Sequence, residues 1–153
     1  MNKNELRAMI LTGCIMIVFL FSLLYNAWSR KINVPTCVRY DKVFENPQVK
    51  QVDDSTYEAY VVAQMWRFAF SADGKEEIDI PAGSTVTFYL TTKDVVHGFN
   101  IDRKGINLMA IPGAVNTATV KFDQPGVYNI LCHEYCGIGH QNMLGKVVVT
   151  NQN

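Results

Sequence analysis

"GVYNILCHEYCGIGHQNMLGKVVVT", residues 126–150, reads as a strand, a loop and a strand. "GVYNIL" alternates polar and apolar positions, and "GKVVVT" is rich in β-branched residues, as half-buried strands are. Between them, Cys132, His133, Cys136, His140 and Met143 crowd soft and borderline metal ligands into one loop. Two of the chain's three histidines and two of its four cysteines lie there.

The flanking sequence continues the strand pattern upstream. "TYEAYVVAQMWRFAF" (56–70) is rich in aromatic and β-branched residues. "STVTFYLTT" (84–92) places Val86, Phe88 and Leu90 on one face and Thr85, Thr87 and Tyr89 on the other. "TATVKF" (117–122) alternates again. Turns are marked by "SADGK" (71–75), "PAG" (81–83), "IPG" (111–113) and "QPG" (124–126). No helical period appears after Trp28. The pattern predicts an all-β domain, an antiparallel sandwich with one core between two sheets. Phe88, Tyr89, Phe122 and Tyr128 read as core or half-buried sheet residues.

The other end of the chain differs. From Ala8 to Trp28 there is no charge. A helix of that length rises about 30 Å, enough to cross a bilayer. Tyr25 and Trp28 fall where aromatic side chains favour the interface, and Arg30 and Lys31 close the segment. A cleaved signal peptide has a shorter apolar core and a small-residue exit. "LTGC" (11–14) resembles a lipoprotein box, but the apolar run continues well past Cys14. The chain thus divides into an N-terminal transmembrane anchor (1–31), a polar connector (32–55) holding Pro35 and Pro47, and a β-domain (56–153). Lys3 and Arg7 balance Arg30 and Lys31, so charge leaves the orientation open. From Ile32 onward, 13 acidic residues face 10 basic ones, a net charge of −3. That balance excludes nucleic acid as a partner. Cys14, in the span, and Cys37, in the connector, do not make a disulfide framework with the loop pair.

Several metals suit the loop. His97, in "DVVHGFN", lies 35 positions before Cys132, at the end of another strand that a sandwich can bring alongside. Structural zinc accepts two cysteines and two histidines but leaves Met143 without a role, and its cysteines favour closer spacing. A mononuclear copper site uses two histidines, one cysteine and a weak methionine, leaving one thiolate over. Two bridging thiolates absorb the surplus, with one histidine for each of two coppers. Met143 is then one weak outer ligand and a loop carbonyl the other. A redox dithiol is a further reading, although such pairs favour CxxC at a helix start.

At these residues the chain resembles the binuclear copper (CuA) domain of cytochrome c oxidase subunit II. The family pattern, a histidine, a long gap, then CxExCGxxHxxM, appears as His97 and "CHEYCGIGHQNM". "GIGHQNMLG", "VVHGFN" and the single span look most like the B-type heme-copper oxidases. The resemblance implies a cupredoxin-like Greek-key β-sandwich. It implies two copper ions bridged by Cys132 and Cys136. His97 and His140 are then the terminal imidazoles, Met143 a weak ligand to one copper and the Glu134 carbonyl to the other. It also implies a C-terminal domain outside the cytoplasm, on the periplasmic side of the cell membrane. There are departures. His133 stands where the family often has Ser or Asn. Glu134, which binds magnesium in A-type relatives, is often Gln in B-type ones. "IPGAVNT" lacks the A-type Arg after its turn.

The activity implied is electron transfer. A c-type cytochrome donates to the copper pair, which passes electrons to heme in a catalytic subunit I, where oxygen is reduced to water. Trp66, Phe68 and Phe70 are candidates for an apolar docking patch, with strand packing as the alternative. Two rival functions are the equivalent subunit of a CuA-containing nitric oxide reductase and a membrane-anchored copper-binding protein.

Overall fold

A computed structural model of the chain describes residues 2–29 and 44–151. Arg30, Lys31, Pro35, Cys37 and the first half of the expected connector lie outside the described residues.

The first element, α1 (Lys3–Ser29), begins at a reciprocal cap. The Asn4 amide donates to Asn2 Oδ1 (3.3 Å), and the Asn2 amide donates to Glu5 Oε2 (2.8 Å). No residue of this helix is buried by protein. A helix apolar all round satisfies its backbone internally and needs lipid to cover its side chains. Its 27 residues rise about 40 Å, more than a bilayer core requires.

The β-domain is a separate compact unit. Its strands are β1 (Gln48–Asp53), β2 (Thr56–Gln64), β3 (Arg67–Ala69), β4 (Glu77–Pro81), β5 (Ser84–Thr92), β6 (His97–Ile101), β7 (Ile106–Ala110), β8 (Asn116–Phe122), β9 (Gly126–Leu131) and β10 (Leu144–Thr150). One sheet has the order β1-β2-β5-β8, with β3 also pairing β2. β1 and β3 divide one flank of β2, taking Thr56–Tyr60 and Val62–Gln64 respectively. The second sheet has the order β4-β10-β9-β6-β7.

Two pairings correct the all-antiparallel expectation. β2 runs parallel to β5, and β4 runs parallel to β10. Parallel neighbours require a crossover. The chain supplies the first by passing through β4 of the opposite sheet between β2 and β5, so the topology is a Greek key rather than a meander. β1 is a second correction. It pairs with β2 over residues assigned to the connector, so the sandwich begins upstream of residue 56.

The core sits between the sheets, where alternation directs it. Val86, Phe88 and Leu90 of β5 are buried, as are Ile78 and Ile80 of β4, Val120 and Phe122 of β8, and Val147 and Val149 of β10. Aromatic rings join the layers. Phe68 meets Phe99 edge-on at 5.3 Å, Phe99 meets Phe88 at 5.6 Å, and Phe122 meets Tyr128 at 5.1 Å. Gly83 and Gly113, at the ends of "PAG" and "IPG", hold positive φ (86° and 76°), which a side chain would oppose. Truncating Phe88, fully buried at the ring junction, to Ala leaves a cavity costing about 3–5 kcal/mol. Chemical denaturation of the β-domain should show that loss as a lower midpoint with an unchanged slope.

Candidate metal centre

Strand register builds the site. Leu131 of β9 pairs with Leu144 of β10, which closes residues 132–143 into a loop. The Cys132 amide extends that ladder by donating to the Met143 carbonyl at 3.3 Å. A short 3-10 turn, His140–Asn142, folds the loop back, with the Met143 amide bonded to the His140 carbonyl (3.2 Å). On the other flank of β9, Asn100 pairs with Leu131 and Ile101 with Ile130. β6 therefore overshoots the end of β9 at its own start, and His97 arrives beside the loop. His97, Phe99 and Ile101 alternate into the core, which leaves the imidazole with no solvent exposure.

Five of the expected residues converge. The Cys132 and Cys136 sulfurs are 3.7 Å apart. A ring nitrogen of His97 and both sulfurs lie within 4.8 Å of one another. Cys136 Sγ is 3.5 Å from His140 Nδ1 and 3.8 Å from Met143 Sδ. The sixth, Glu134, is divided. Its carbonyl lies 3.3 Å from Cys132 Sγ, whereas its partly exposed carboxylate is 3.5 Å from His133 Nδ1. The His133 ring rests on Gly98, where an added Cβ would collide with it.

The donor set fits a soft metal. His97 Nε2 is bonded to Asp94 Oδ1 at 2.7 Å, and its Nδ1 is buried with no hydrogen-bond partner. A buried polar atom without a partner is costly unless something else satisfies it. Both cysteines are free thiols. Burial, reinforced by the Cys132 thiol, pushes the Cys136 thiol up to about 11, so metal binding must release its proton. An ion at an ordinary metal–sulfur distance, about 2.3 Å, can touch both sulfurs at their observed separation. Zinc with these four ligands would leave the adjacent Met143 thioether idle, whereas copper employs thiolate, imidazole and thioether together.

The comparisons with known proteins agree. Residues 43–151 match the family model described as cytochrome c oxidase subunit II, periplasmic domain. A cytochrome c oxidase subunit 2 from Thermus thermophilus is 40% identical over 117 residues, covering 75% of this chain and 83% of that protein. The chain belongs to the cytochrome c oxidase subunit II family. A subunit solved in a heme-copper terminal oxidase dimer superimposes with a TM-score of 0.83 at 40% identity, covering 97% of this chain and all of that one. The periplasmic domain of subunit II from Bradyrhizobium japonicum, at 21% identity and a TM-score of 0.54, shares the fold. This subunit II therefore has a cupredoxin-like β-domain and an apolar N-terminal helix. It is a membrane-anchored electron-transfer subunit of a heme-copper terminal oxidase, an oxidoreductase complex whose subunit II family binds copper.

Three features of this subunit II add to or correct the sequence reading. Asp94 accepts hydrogen bonds from His97 Nε2, the Met65 amide (2.7 Å), the Val95 amide (2.7 Å) and Thr92 Oγ1 (3.0 Å). Burial raises its pKa, but the hydrogen bonds outweigh this and hold it below the ordinary carboxylate range. A carboxylate on the far nitrogen of a ligating histidine fixes its tautomer, and the spacing in "DVVH" was the available signal. Trp66 is the second feature. Its indole N–H donates to the Cys136 carbonyl at 3.2 Å, and its ring covers Gly137 and Gly139. The third is a correction to the docking patch. Phe68 and Phe70 are fully buried in the core and cannot form a contact face. The turn at Met65–Trp66 breaks the strand there, so Trp66 leaves the register that the two phenylalanines follow.

Replacing Asp94 with Ala should weaken copper retention about 10–100-fold, as lost partners of metal-ligating histidines do. Competition with a copper chelator reads this directly. Gly139→Ala should push the indole off the loop, because its Cβ would overlap the Trp66 ring. In a Trp28→Phe background, the fluorescence of Trp66 should shift to the red.

Proposed function

We propose that this chain receives electrons at a two-copper centre held by Cys132 and Cys136 and delivers them to heme in a catalytic partner subunit. The carrying observation is the pair of free sulfurs 3.7 Å apart, with a ring nitrogen of His97 within 4.8 Å of both and the His140 Nδ1 3.5 Å from Cys136 Sγ. Cys132 and Cys136 are the bridging thiolates, and His97 and His140 the terminal imidazoles. Met143 and the Glu134 carbonyl are the weak outer ligands.

When bound, the copper pair supplies one-electron acceptance and donation. The rest is the work of the chain. The closed loop fixes ligand spacing before any metal arrives, so little needs to move when charge changes. Burial of His97, Cys136 and Met143 excludes water from one side of the centre. Trp66 is half-exposed and hydrogen-bonded to the backbone of a proposed bridging residue, so it offers a donor an aromatic contact joined to the centre. Tyr135 and Ile138, 79% and 86% exposed, extend that contact as apolar surface on the ligand loop. The donor we assign is a reduced c-type cytochrome. The Glu134 carboxylate is available for magnesium at the contact with the catalytic subunit. The β-domain lies on the outer, periplasmic side of the membrane, where such a donor is found. The boundaries we assign are an anchor within 1–31 and a copper domain that includes β1 and runs to the C-terminus.

Loading the reduced β-domain with copper tests this. The expected product is purple, contains about two coppers per chain and shows mixed-valence EPR, as thiolate-bridged copper does. Cys136→Ser should reduce it to one copper or none. A blue, one-copper product from the unaltered sequence would reject the bridge.

A further inference from the structure

The ligands do not share one degree of access. His97, Met143 and Cys136 are between 0 and 4% exposed, while Cys132 and His140 are half-buried at the rim. An incoming ion must cross that rim. Over Gly137 and Gly139, the nearest side chains belong to two chain neighbours, Met65 and Trp66. The Trp66 indole lies over Gly137 and Gly139, and the Met65 thioether lies beside it, its sulfur 3.6 Å from where a Gly137 Cβ would stand. Gly137 holds φ at +113°, and no side chain of its own separates Met65 Sδ from the ligand loop next to Cys136.

Met65 is placed for contact with solvent and loop together. It is 46% exposed, unlike the buried Met143. Its amide is pinned by Asp94 at 2.7 Å, the same carboxylate that holds His97. Thioethers select Cu(I) over harder ions, and the face of an indole attracts a poorly hydrated cation. Methionine is also flexible enough to swing between solvent and the loop.

We propose that Met65, beside the Trp66 face, is the first ligand for Cu(I) entering the centre, a transient metal-acceptance site distinct from the resident ligands. This rests on the copper reading above. The exchange is redox-neutral. Cu(I) leaves the ligands of its carrier and binds the thioether. It then moves to the cysteine sulfurs as each thiol releases one proton to solvent. Copper stays monovalent and no electron is transferred.

The test uses the full chain in detergent, metal-free and reduced, with Cu(I) supplied from a buffered chelator complex. Met65→Leu keeps the volume and removes the sulfur. Its uptake at limiting Cu(I) should be slower by about tenfold or more, since a soft ligand is lost from the path. Final copper content and, after oxidation of the loaded protein by one electron, the absorption spectrum should match the parent chain. Zn(II) uptake should be equal in both, because a thioether does not assist it. Met65→Gln should behave as Met65→Leu does. Equal Cu(I) uptake rates would overturn the proposal. So would a changed final copper number or spectrum, which would make Met65 a resident ligand or a structural support. Failure of the parent chain itself to bind copper would instead overturn the function proposed above, so the two failures are distinguishable.

Discussion

The pairing of Leu131 with Leu144, and of Leu131 with Asn100 on its other side, is the constraint from which the site follows. A strand register is an all-or-none choice, since a slip of one residue turns every side chain to the opposite face. A slip in β6 would turn His97 to the opposite face, under the His133 ring, and put Gly98, which has no side chain to ligate a metal, in its place. A slip in β9 against β10 would change the span of the ligand loop and part the two sulfurs. Core packing enforces the register, because Phe99, Ile101, Ile130 and Val147 must all face inward together. The energy that positions the ligands is therefore hydrophobic and comes from residues that touch no metal.

The centre is prepared at a cost in polar satisfaction. His97 Nδ1 has no partner, and the Cys136 thiol is held protonated by its burial. Groups in this condition are poorly served by the protein alone and well served by a metal ion. The sandwich tolerates them because the surrounding apolar core outweighs a few unmet polar atoms. Asp94 limits the cost by occupying the far nitrogen of the imidazole.

The ligand loop was readable because its chemistry is local: five donors within a dozen residues admit few explanations. β5, β8, β9 and β10 were readable because each buries one face, so alternation survives in the sequence. β1 was not, since "QVKQVD" is exposed along its whole length and carries no inward period. β4 and β7 are five residues each, too short for a period to stand out. The parallel pairings depend on a crossover between sheets, which no single strand encodes. The roles of Asp94 and Trp66 depend on how two turns meet in space. Phe68 and Phe70 were grouped with Trp66 as aromatics of one short stretch, and nearness in sequence fails as a guide where a turn interrupts the strand.

Gly98 and Gly139 each hold a flat ring against the backbone, the His133 ring on β6 and the Trp66 ring on the ligand loop. The loop is thus held to the sandwich by two flat rings, its own His133 laid on β6 and Trp66 laid on the loop, each seated where a methyl group would unseat it. Plates of this kind admit sliding more readily than tilting. A neighbouring protein that nudges either ring would meet a lateral give in the wall of the centre, while the ends of the loop stay fixed by the Leu131–Leu144 pair and the Cys132–Met143 hydrogen bond.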